Sequence, residues 1–207
     1  MICIINYQLG NICSLVKAFN KMGGEIVVSN KYSDIKKAEK LVLPGVGSFG
    51  KGMENLKKFD LISVLKDQVL MGNKSFLGIC LGMQLLFENS EEDGFVEGLG
   101  FINGEVKKFN FDSGAELKIP HMGWNNIFGE SFDSIKIFEG VKENSNFYFV
   151  HSYHASLSED IDCVYTDYGY NFVSAIQKNN IYGTQFHPEK SQKEGLKIIS
   201  NFIMIVR

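Results

Sequence analysis

Two stretches of the sequence combine residue types that could carry out nucleophilic chemistry. In the first, Gly78-Ile79-Cys80-Leu81-Gly82, a thiol follows an apolar, strand-like run and precedes a helix-like one. Glycines two residues before and after Cys80 are typical of a nucleophile elbow, where a sharp turn needs small neighbours. The start of a helix also favours a thiolate. Taken alone, however, Cys80 fits a buried structural cysteine better, so the assignment needs a second stretch.

The second stretch, Phe186-His187-Pro188-Glu189, offers a base and a group that orients it. Pro188 favours an extended backbone at His187, and in an extended chain residues i and i+2 project to the same side. Thiol, imidazole and carboxylate are the parts of a cysteine-nucleophile triad. The sequence therefore predicts Cys80, His187 and Glu189 as catalytic residues. The remaining histidines have no carboxylate at i+2 and are interpreted as structural or surface residues: His121, His151 and His154.

Three weaker features surround these stretches. Gly45-Val46-Gly47 follows an apolar run; it is either a tight turn or, in the same sheet as Cys80, a supplier of backbone N–H groups to an oxyanion. Gln84 lies one helical turn after Cys80 and faces the same side; it is either part of the site or an ordinary polar residue of the helix. Residues 118–126 hold the only tryptophan and are interpreted as a loop that either plugs the core or forms a partner surface.

The elements that must position these residues are predicted from apolar spacing. Strands are expected at residues 3–6, 25–29, 40–43 and just before Cys80, with helices over 12–22 and 59–71. This alternation predicts a parallel sheet with helices on both faces, whose ligands gather at the carboxyl ends of the strands. From residue 100 the runs become strand-like, at 101–102, 104–109, 146–150, 162–166, 172–177 and 181–186, with a hairpin turn at Asn179-Asn180 and a final helix from Glu194.

We therefore predict one α/β domain over residues 1–207: an open, mainly parallel sheet with helices on both faces and an antiparallel C-terminal portion. The 44% hydrophobic composition is ample for its core. A net charge of −3 and the lack of a dense Lys/Arg run argue against a nucleic-acid partner. The four cysteines are far apart without C-x-x-C pairing, which suits a reducing cytoplasm. The apolar stretches near both ends are too short for a signal peptide or a membrane span.

With these residues in hand, the chain resembles the class I (triad) glutamine amidotransferases over nearly its whole length. The family signature is matched by residues 78–84 and 186–189, whereas 43–50, 120–125 and 149–153 are similar to one branch, the glutaminase subunits of imidazole glycerol phosphate synthases in histidine biosynthesis. The resemblance implies that Cys80 attacks the glutamine carboxamide, forms a thioester and releases ammonia. It also implies that His187, oriented by Glu189, moves the protons.

The same resemblance implies roles for further residues. Backbone amides of Val46, Gly47 and Leu81 would hold the oxyanion, and Gln84, Glu92, Ser152 and Tyr153 would line the glutamine pocket. Trp124, Asn125, Tyr148 and Lys190 would face a (β/α)8-barrel cyclase/synthase subunit, which forms a heterodimer with the chain and receives ammonia through a channel. No metal or cofactor is implied.

The acceptor of the ammonia has an alternative at this stage. The chain carries Asn6, Gln8 and Cys13 where the family commonly has Asp, Gly and Arg. These positions are expected to lie away from the triad and to affect glutaminase chemistry little, but they leave open a paralogous subunit that supplies ammonia to a nucleotide sugar or glycan precursor. Two hypotheses from other functional classes are a catalytically silent binding module and a stand-alone cysteine hydrolase that needs no partner.

Overall fold

The computed structural model describes residues 1–111 and 116–206. Its first half alternates strands and helices, as the sequence predicts. Helix α1 shows why: Leu15, Ala18 and Phe19 form its buried stripe, and the Asn11 side chain accepts a hydrogen bond from the Ser14 amide at its start. The elements are β1 (Ile2–Ile5), α1 (Ile12–Lys21), β2 (Ile26–Ser29), α2 (Tyr32–Lys37), β3 (Lys40–Leu43), α3 (Phe49–Lys58), α4 (Leu61–Lys66), a π-helical turn (Asp67–Met71), β4 (Ser75–Ile79) and α5 (Leu81–Gln84).

The second half is mostly antiparallel and ends in a helix that returns to the sheet. Its elements are β5 (Asn89–Ser90), β6 (Val96–Glu97), β7 (Gly104–Lys108), β8 (His121–Asn126), a 3-10 turn (Lys136–Phe138), β9 (Asn146–His151), β10 (Tyr153–Leu157), β11 (Asp162–Asp167), β12 (Asn171–Lys178), β13 (Ile181–Thr184), a second 3-10 turn (Pro188–Lys190) and α6 (Gln192–Met204).

One sheet joins both halves in the order β2-β1-β3-β4-β13-β12-β10-β7-β5-β6, with β11 also paired to β12. The run from β2 to β13 is parallel throughout. From β13 onward, β12, β10 and β7 pair antiparallel. Strands β8 and β9 form a separate antiparallel pair. The predicted fold class is confirmed.

Helices cover both faces of the parallel half, so each of its strands contributes to two cores. In β1, Cys3 and Ile5 belong to one apolar cluster and Ile2 and Ile4 to the other, as the alternation of side chains along a strand requires. The first cluster includes residues of α2, α3 and α4, and the second includes residues of α1 and α6. Within the described ranges, no helix combines the length and apolar character needed to cross a bilayer.

Two sequence expectations about these elements were wrong, and two helices were not predicted. Residues 118–126 were interpreted as a loop, but most of them form strand β8; the polar residues and Gly123 hid an alternating pattern that the partner strand β9 makes stable. Residues 101–102 form a bend and not a strand. Neither helix α2 nor helix α3 was predicted; α3 begins inside the glycine-rich segment that starts at Gly45.

Candidate active site

Cys80 occupies a sharp elbow between β4 and α5. Its backbone has φ 54° and ψ −112°, a combination that costs energy for a residue with a side chain and is typical of nucleophile elbows. A Cβ at Gly78 would lie 2.6 Å from the Gly82 oxygen, and a Cβ at Gly82 would lie 1.8 Å from the Leu43 oxygen. Both neighbours must therefore be glycine for the turn to close against the end of β3.

His187 and Glu189 form a buried pair beside this elbow. His187 is extended, with φ −97° and ψ 99°, and its Nδ1 lies 2.9 Å from Glu189 Oε1, with both side chains almost fully buried. Among the described residues, the second atoms of this pair, His187 Nε2 and Glu189 Oε2, are buried without a hydrogen-bond partner. Because Nδ1 donates to the carboxylate, Nε2 is the atom that can take a proton.

The electrostatics of His187 depend on Cys80. Burial alone lowers the pKa of this imidazole, but the nearby Cys80 sulfur, followed by the Glu189 carboxylate, outweighs it and raises the pKa to about 10. The parallel pairing of β13 with β4 sets Thr184 beside Ile79, so the two chain segments leave the sheet side by side. The arrangement therefore favours the charged, imidazolium form of His187.

A cavity of about 290 Å³ opens onto the sulfur. It brings together Cys80 and all the residues predicted for the oxyanion and the substrate. Its walls are Val46, Gly47, Cys80, Leu81, Gln84, Glu92, Pro120, Val150, His151, Ser152 and Tyr153. A larger groove of about 800 Å³ lies between α1 and α6, but it is lined by surface lysines and contains no nucleophile, so size alone does not locate the chemistry.

Two polar side chains of the cavity wall are fixed by hydrogen bonds. Glu92 Oε2 accepts from the Phe49 amide at 2.8 Å, and burial raises the pKa of this carboxyl group. Gln84 Nε2 donates to the Tyr153 carbonyl at 2.8 Å and to the Gln185 side-chain oxygen at 3.0 Å. The wall therefore presents oriented polar groups to a ligand.

Sequence reasoning assigned no role to Gln185. Its side chain is fully buried, and its Nε2 lies 3.7 Å from the sulfur of Cys80. The alternation that pairs His187 with Glu189 also places Gln185, two residues before His187, on the same side. That signal was present in the sequence and, applied in the N-terminal direction, would have identified it.

The loop after β1 supports the loop predicted to supply the oxyanion. The Tyr7 hydroxyl donates to the Pro44 carbonyl at 2.6 Å, and a Cβ at Gly45 would lie 2.5 Å from that hydroxyl oxygen. A Cβ at Gly10 would lie 3.2 Å from Pro44 Cβ. Burial raises the pKa of Tyr7 far above its usual range. The loop after β1 therefore contacts the Pro44–Gly47 segment through Tyr7 and Gly10. That Asn6, Gln8 and Cys13 themselves lie away from the triad stays a prediction.

The three other histidines are buried and neutral. Burial lowers the pKa of His121 to about 4 and that of His151 to about 3, and it lowers that of His154. His151 Nδ1 lies 2.8 Å from the Tyr153 carbonyl and His151 Nε2 lies 3.1 Å from His121 Nδ1. His151 thus shapes the cavity but is too weak a base to compete with His187. Across residues 1–111 and 116–206, no cluster of His, Cys, Asp or Glu could hold a metal ion.

Three of the four predicted interface residues share one exposed patch. Trp124 is 48% exposed and packs edge-on against Tyr148 at 6.1 Å between ring centres; Lys190 Nζ lies 5.5 Å from the centre of the Tyr148 ring. Asn125 differs, because its Nδ2 donates to the Asp167 carbonyl at 2.9 Å and its Oδ1 accepts from the Asn126 amide at 2.9 Å. Its amide is therefore committed within the chain.

Comparisons with known proteins find matches over nearly the whole length of the chain. Residues 3–206 match the family described as Glutamine amidotransferase class-I. The chain is 48% identical over 205 residues to the imidazole glycerol phosphate synthase subunit HisH 1 of Campylobacter jejuni strain RM1221, covering 99% of this chain and 100% of that protein. It is 46% identical over 208 residues to the subunit HisH of Methanocaldococcus jannaschii, with 100% of both covered. A crystal structure of a glutamine amidotransferase superposes with a TM-score of 0.73 at 14% identity, over 99% of each chain.

Proposed function

Since the chain belongs to the class-I glutamine amidotransferase family, we propose that it is the glutaminase subunit of an imidazole glycerol phosphate synthase. The observation that carries this proposal is the near-complete coverage, at 46 to 48% identity, of two synthase subunits from distant organisms. The similarity favours the histidine-pathway branch over the nucleotide-sugar alternative. The site then has a defined reaction to perform, the hydrolysis of glutamine to glutamate and ammonia.

The geometry suits that reaction in two steps. The Cys80 thiolate attacks the side-chain carbonyl carbon of glutamine, and the oxyanion is held by backbone N–H groups of Leu81 and of the Val46-Gly47 segment. As the C–N bond breaks, the His187 imidazolium gives its Nε2 proton to the departing nitrogen, which leaves as ammonia. A thioester on Cys80 remains.

Water completes the cycle. His187, now neutral, removes a proton from water at Nε2, and the hydroxide oxygen attacks the thioester carbonyl. Glutamate leaves, and the sulfur departs as the thiolate that the cationic His187 again stabilises. Glu189 keeps the Nδ1 proton in place throughout and offsets the imidazolium charge.

The partner in this proposal is a (β/α)8-barrel synthase subunit that docks on the patch formed by Trp124, Tyr148 and Lys190. An exposed tryptophan beside a tyrosine and a cation is the composition of an interface hot spot. The patch is joined to the base by one backbone hydrogen bond, since the His187 amide donates to the Tyr148 carbonyl at 3.0 Å. Ammonia released at Cys80 would pass to the partner from this side.

The test is a glutaminase assay on the purified chain, alone and with a histidine-pathway barrel subunit and its phosphoribosyl-formimino substrate. We expect glutamate release and imidazole glycerol phosphate formation in the mixture, and neither with Cys80→Ala, which should still form the complex. Glutamate release by Cys80→Ala would refute the nucleophile. Activity that does not depend on the partner would favour a stand-alone hydrolase, and a glutaminase that yields no product with the barrel would favour the nucleotide-sugar acceptor.

The docking patch has its own test. Trp124→Ala should weaken the complex by about 2 kcal/mol or more, a factor of roughly 30 in Kd, while Cys80 still reacts with a glutamine-like electrophile. Tyr32→Ala is the matched control, because Tyr32 is 55% exposed on α2 and away from the patch. Equal affinities of the two variants for the partner would show that the interface lies elsewhere. Failure of the wild-type chain to react with the electrophile would favour a catalytically silent binding module.

A further inference from the structure

A buried side-chain amide reaches the sulfur of Cys80. Gln185 follows strand β13 and lies next to the elbow, because β13 pairs with β4 and the Cys80 amide donates to the Thr184 carbonyl at 2.7 Å. Its own backbone amide is bonded to the Ser174 carbonyl at 2.8 Å. The side chain is fully buried and its Nε2 lies 3.7 Å from Cys80 Sγ. The position of this amide is set by the sheet.

Hydrogen bonds connect the Tyr153 carbonyl, the Gln84 side chain, the Gln185 side chain and the Cys80 sulfur in that order. The Tyr153 carbonyl fixes which group donates in each of them. The Tyr153 carbonyl can only accept, so the atom of Gln84 that lies 2.8 Å from it must be the nitrogen. That same nitrogen lies 3.0 Å from the Gln185 side chain, which must therefore present its oxygen. The Gln185 nitrogen then faces Cys80 as a donor, and the sulfur must accept.

We propose that Gln185 is a further catalytic residue: its side-chain N–H donates to the Cys80 sulfur and stabilises the thiolate, while Gln84 and the Tyr153 carbonyl fix the orientation of the donor. This inference rests on the proposed function only in taking Cys80 as the nucleophile. The same sulfur also lies 4.0 Å from the Val150 carbonyl, which can only accept a hydrogen bond and so interacts favourably only with a thiol. Of these two contacts, the Gln185 N–H is the one that favours the thiolate.

The same hydrogen bond serves both chemical steps. Before attack, it increases the fraction of thiolate. During thioester hydrolysis the sulfur leaves as a thiolate, and a thiolate of lower pKa leaves faster. A donor that is held in place before the charge appears requires little reorganisation when it does.

Other groups also act on this sulfur, so the test must change Gln185 alone. The titratable groups around Cys80 are the His187-Glu189 pair, Glu92, His151 and Tyr153 in or behind the cavity wall, and Tyr7 under the oxyanion loop. Gln185→Met removes the donor, leaves all of these in place and keeps nearly the same side-chain length. A change in the titration of Cys80 in this variant reports on the amide.

The experiment measures the rate of alkylation of Cys80 by iodoacetamide from pH 5 to pH 10, with the label located by peptide mass spectrometry. Loss of a long hydrogen bond to a charged sulfur should raise the midpoint of the profile by about one pKa unit. A thiolate of higher pKa is also intrinsically more nucleophilic, with a Brønsted slope of about 0.4 to 0.5. We therefore expect alkylation of Gln185→Met to be roughly threefold slower below the midpoint and roughly threefold faster on the high-pH plateau.

Two controls show whether the change in the alkylation profile is specific to the Gln185 amide. Cys13 is an exposed free thiol of the same chain and should be labelled equally in all variants. Gln177→Leu is the matched control: it removes a strand glutamine whose side-chain oxygen accepts from the Lys136 amide at 2.8 Å, and it should leave the Cys80 profile unchanged. Gln84→Met, which frees the Gln185 amide to rotate, should shift the midpoint in the same direction but by less.

The outcomes separate this inference from the proposed function. An unshifted midpoint in Gln185→Met, or a rate that is uniformly altered at every pH, overturns the thiolate role whether or not the chain hydrolyses glutamine. If Gln185→Met does not fold, Gln84→Met decides by the same criterion. A shifted profile in a protein that releases no glutamate with its partner would instead retain the role of Gln185 and refute the glutaminase assignment.

Discussion

Gly82→Ala is the substitution that tests the elbow most directly. At this position a Cβ would lie 1.8 Å from the Leu43 carbonyl oxygen and 2.8 Å from its carbon. Both obstacles are backbone atoms of the sheet, and Leu43 is fully buried, so no side chain can rotate away. Tolerating the methyl group needs a displacement of more than an ångström between α5 and the end of β3.

The size of the effect follows from two opposing contributions. Overpacking a close-packed interior costs about 1 to 3 kcal/mol, and a clash between two backbones belongs at the upper end of that range. Replacing glycine by alanine in a helix returns up to about 1 kcal/mol. We expect a net loss of about 2 kcal/mol, which lowers the urea midpoint by about 1 M if the urea m-value is about 2 kcal/mol/M. Because Leu43 leads directly into the Pro44–Gly47 loop, glutaminase activity should fall further than stability alone predicts.

The assay is urea unfolding followed by fluorescence, together with glutamate release at a temperature where every variant is folded. Gly50→Ala is the matched control: it also adds a methyl group to a helical glycine, but its nearest neighbour is the Asp93 side chain at 3.1 Å, which is free to move. Gly50→Ala should be as stable as the wild type. An unfolding midpoint of Gly82→Ala that equals that of Gly50→Ala would refute the packing argument.

Three further substitutions or conditions have defined outcomes. Glu189→Gln removes the carboxylate that helps raise the pKa of His187, and kcat should fall by about 100-fold or more, with the Cys80→Ala background as the zero in the same glutamate assay. Tyr7→Phe leaves the Pro44 carbonyl without its hydroxyl donor; it should cost about 1 to 3 kcal/mol in urea unfolding and lower kcat more than it raises KM. Burial lowers the pKa of His151 to about 3 in the folded chain. As the pH falls below about 6.5, His151 takes up a proton in the unfolded chain but not in the folded one, so stability should fall. This histidine alone should account for about 2 kcal/mol between pH 6.5 and pH 5, and equal urea midpoints at those two pH values would contradict the assignment.

The parallel half of the fold could be predicted because its strands are buried on both faces and its helices on one. The apolar spacing of α1 and the continuous apolar run of β4 were sufficient. Strand β8 was not predictable in the same way, since its outward residues are Met122 and Trp124 and its inward ones are polar or glycine, the reverse of the usual pattern. Its stability comes from pairing with β9, which lies about twenty residues away and has no local signature.

The residues of the site also differ in whether a local sequence pattern predicts them. Cys80, His187 and Glu189 could be predicted as a group because an elbow and a base with its orienter are each encoded within a few residues. The contact between Tyr7 and Pro44 joins loops that follow two different strands, β1 and β3, which are neighbours only in the folded sheet. The amide path through Gln185 likewise depends on the parallel register of β13 with β4. Local patterns predict the reacting groups, whereas the groups that tune them depend on strand order.

Hydrogen bonds connect His187 to the exposed patch formed by Trp124, Tyr148 and Lys190, where the proposed partner docks. Three hydrogen bonds close a ring: the His187 amide donates to the Tyr148 carbonyl, the Tyr148 amide donates to Ser191 Oγ, and Ser191 Oγ donates to the His187 carbonyl. The ring joins β9 to the backbone on which His187 and Glu189 are carried. The Tyr148 ring meanwhile contacts both Trp124 and Lys190 at the surface. In the proposed complex, a partner bound to those side chains would contact the elements that carry His187 through this ring of hydrogen bonds, without passing through the cavity beside Cys80.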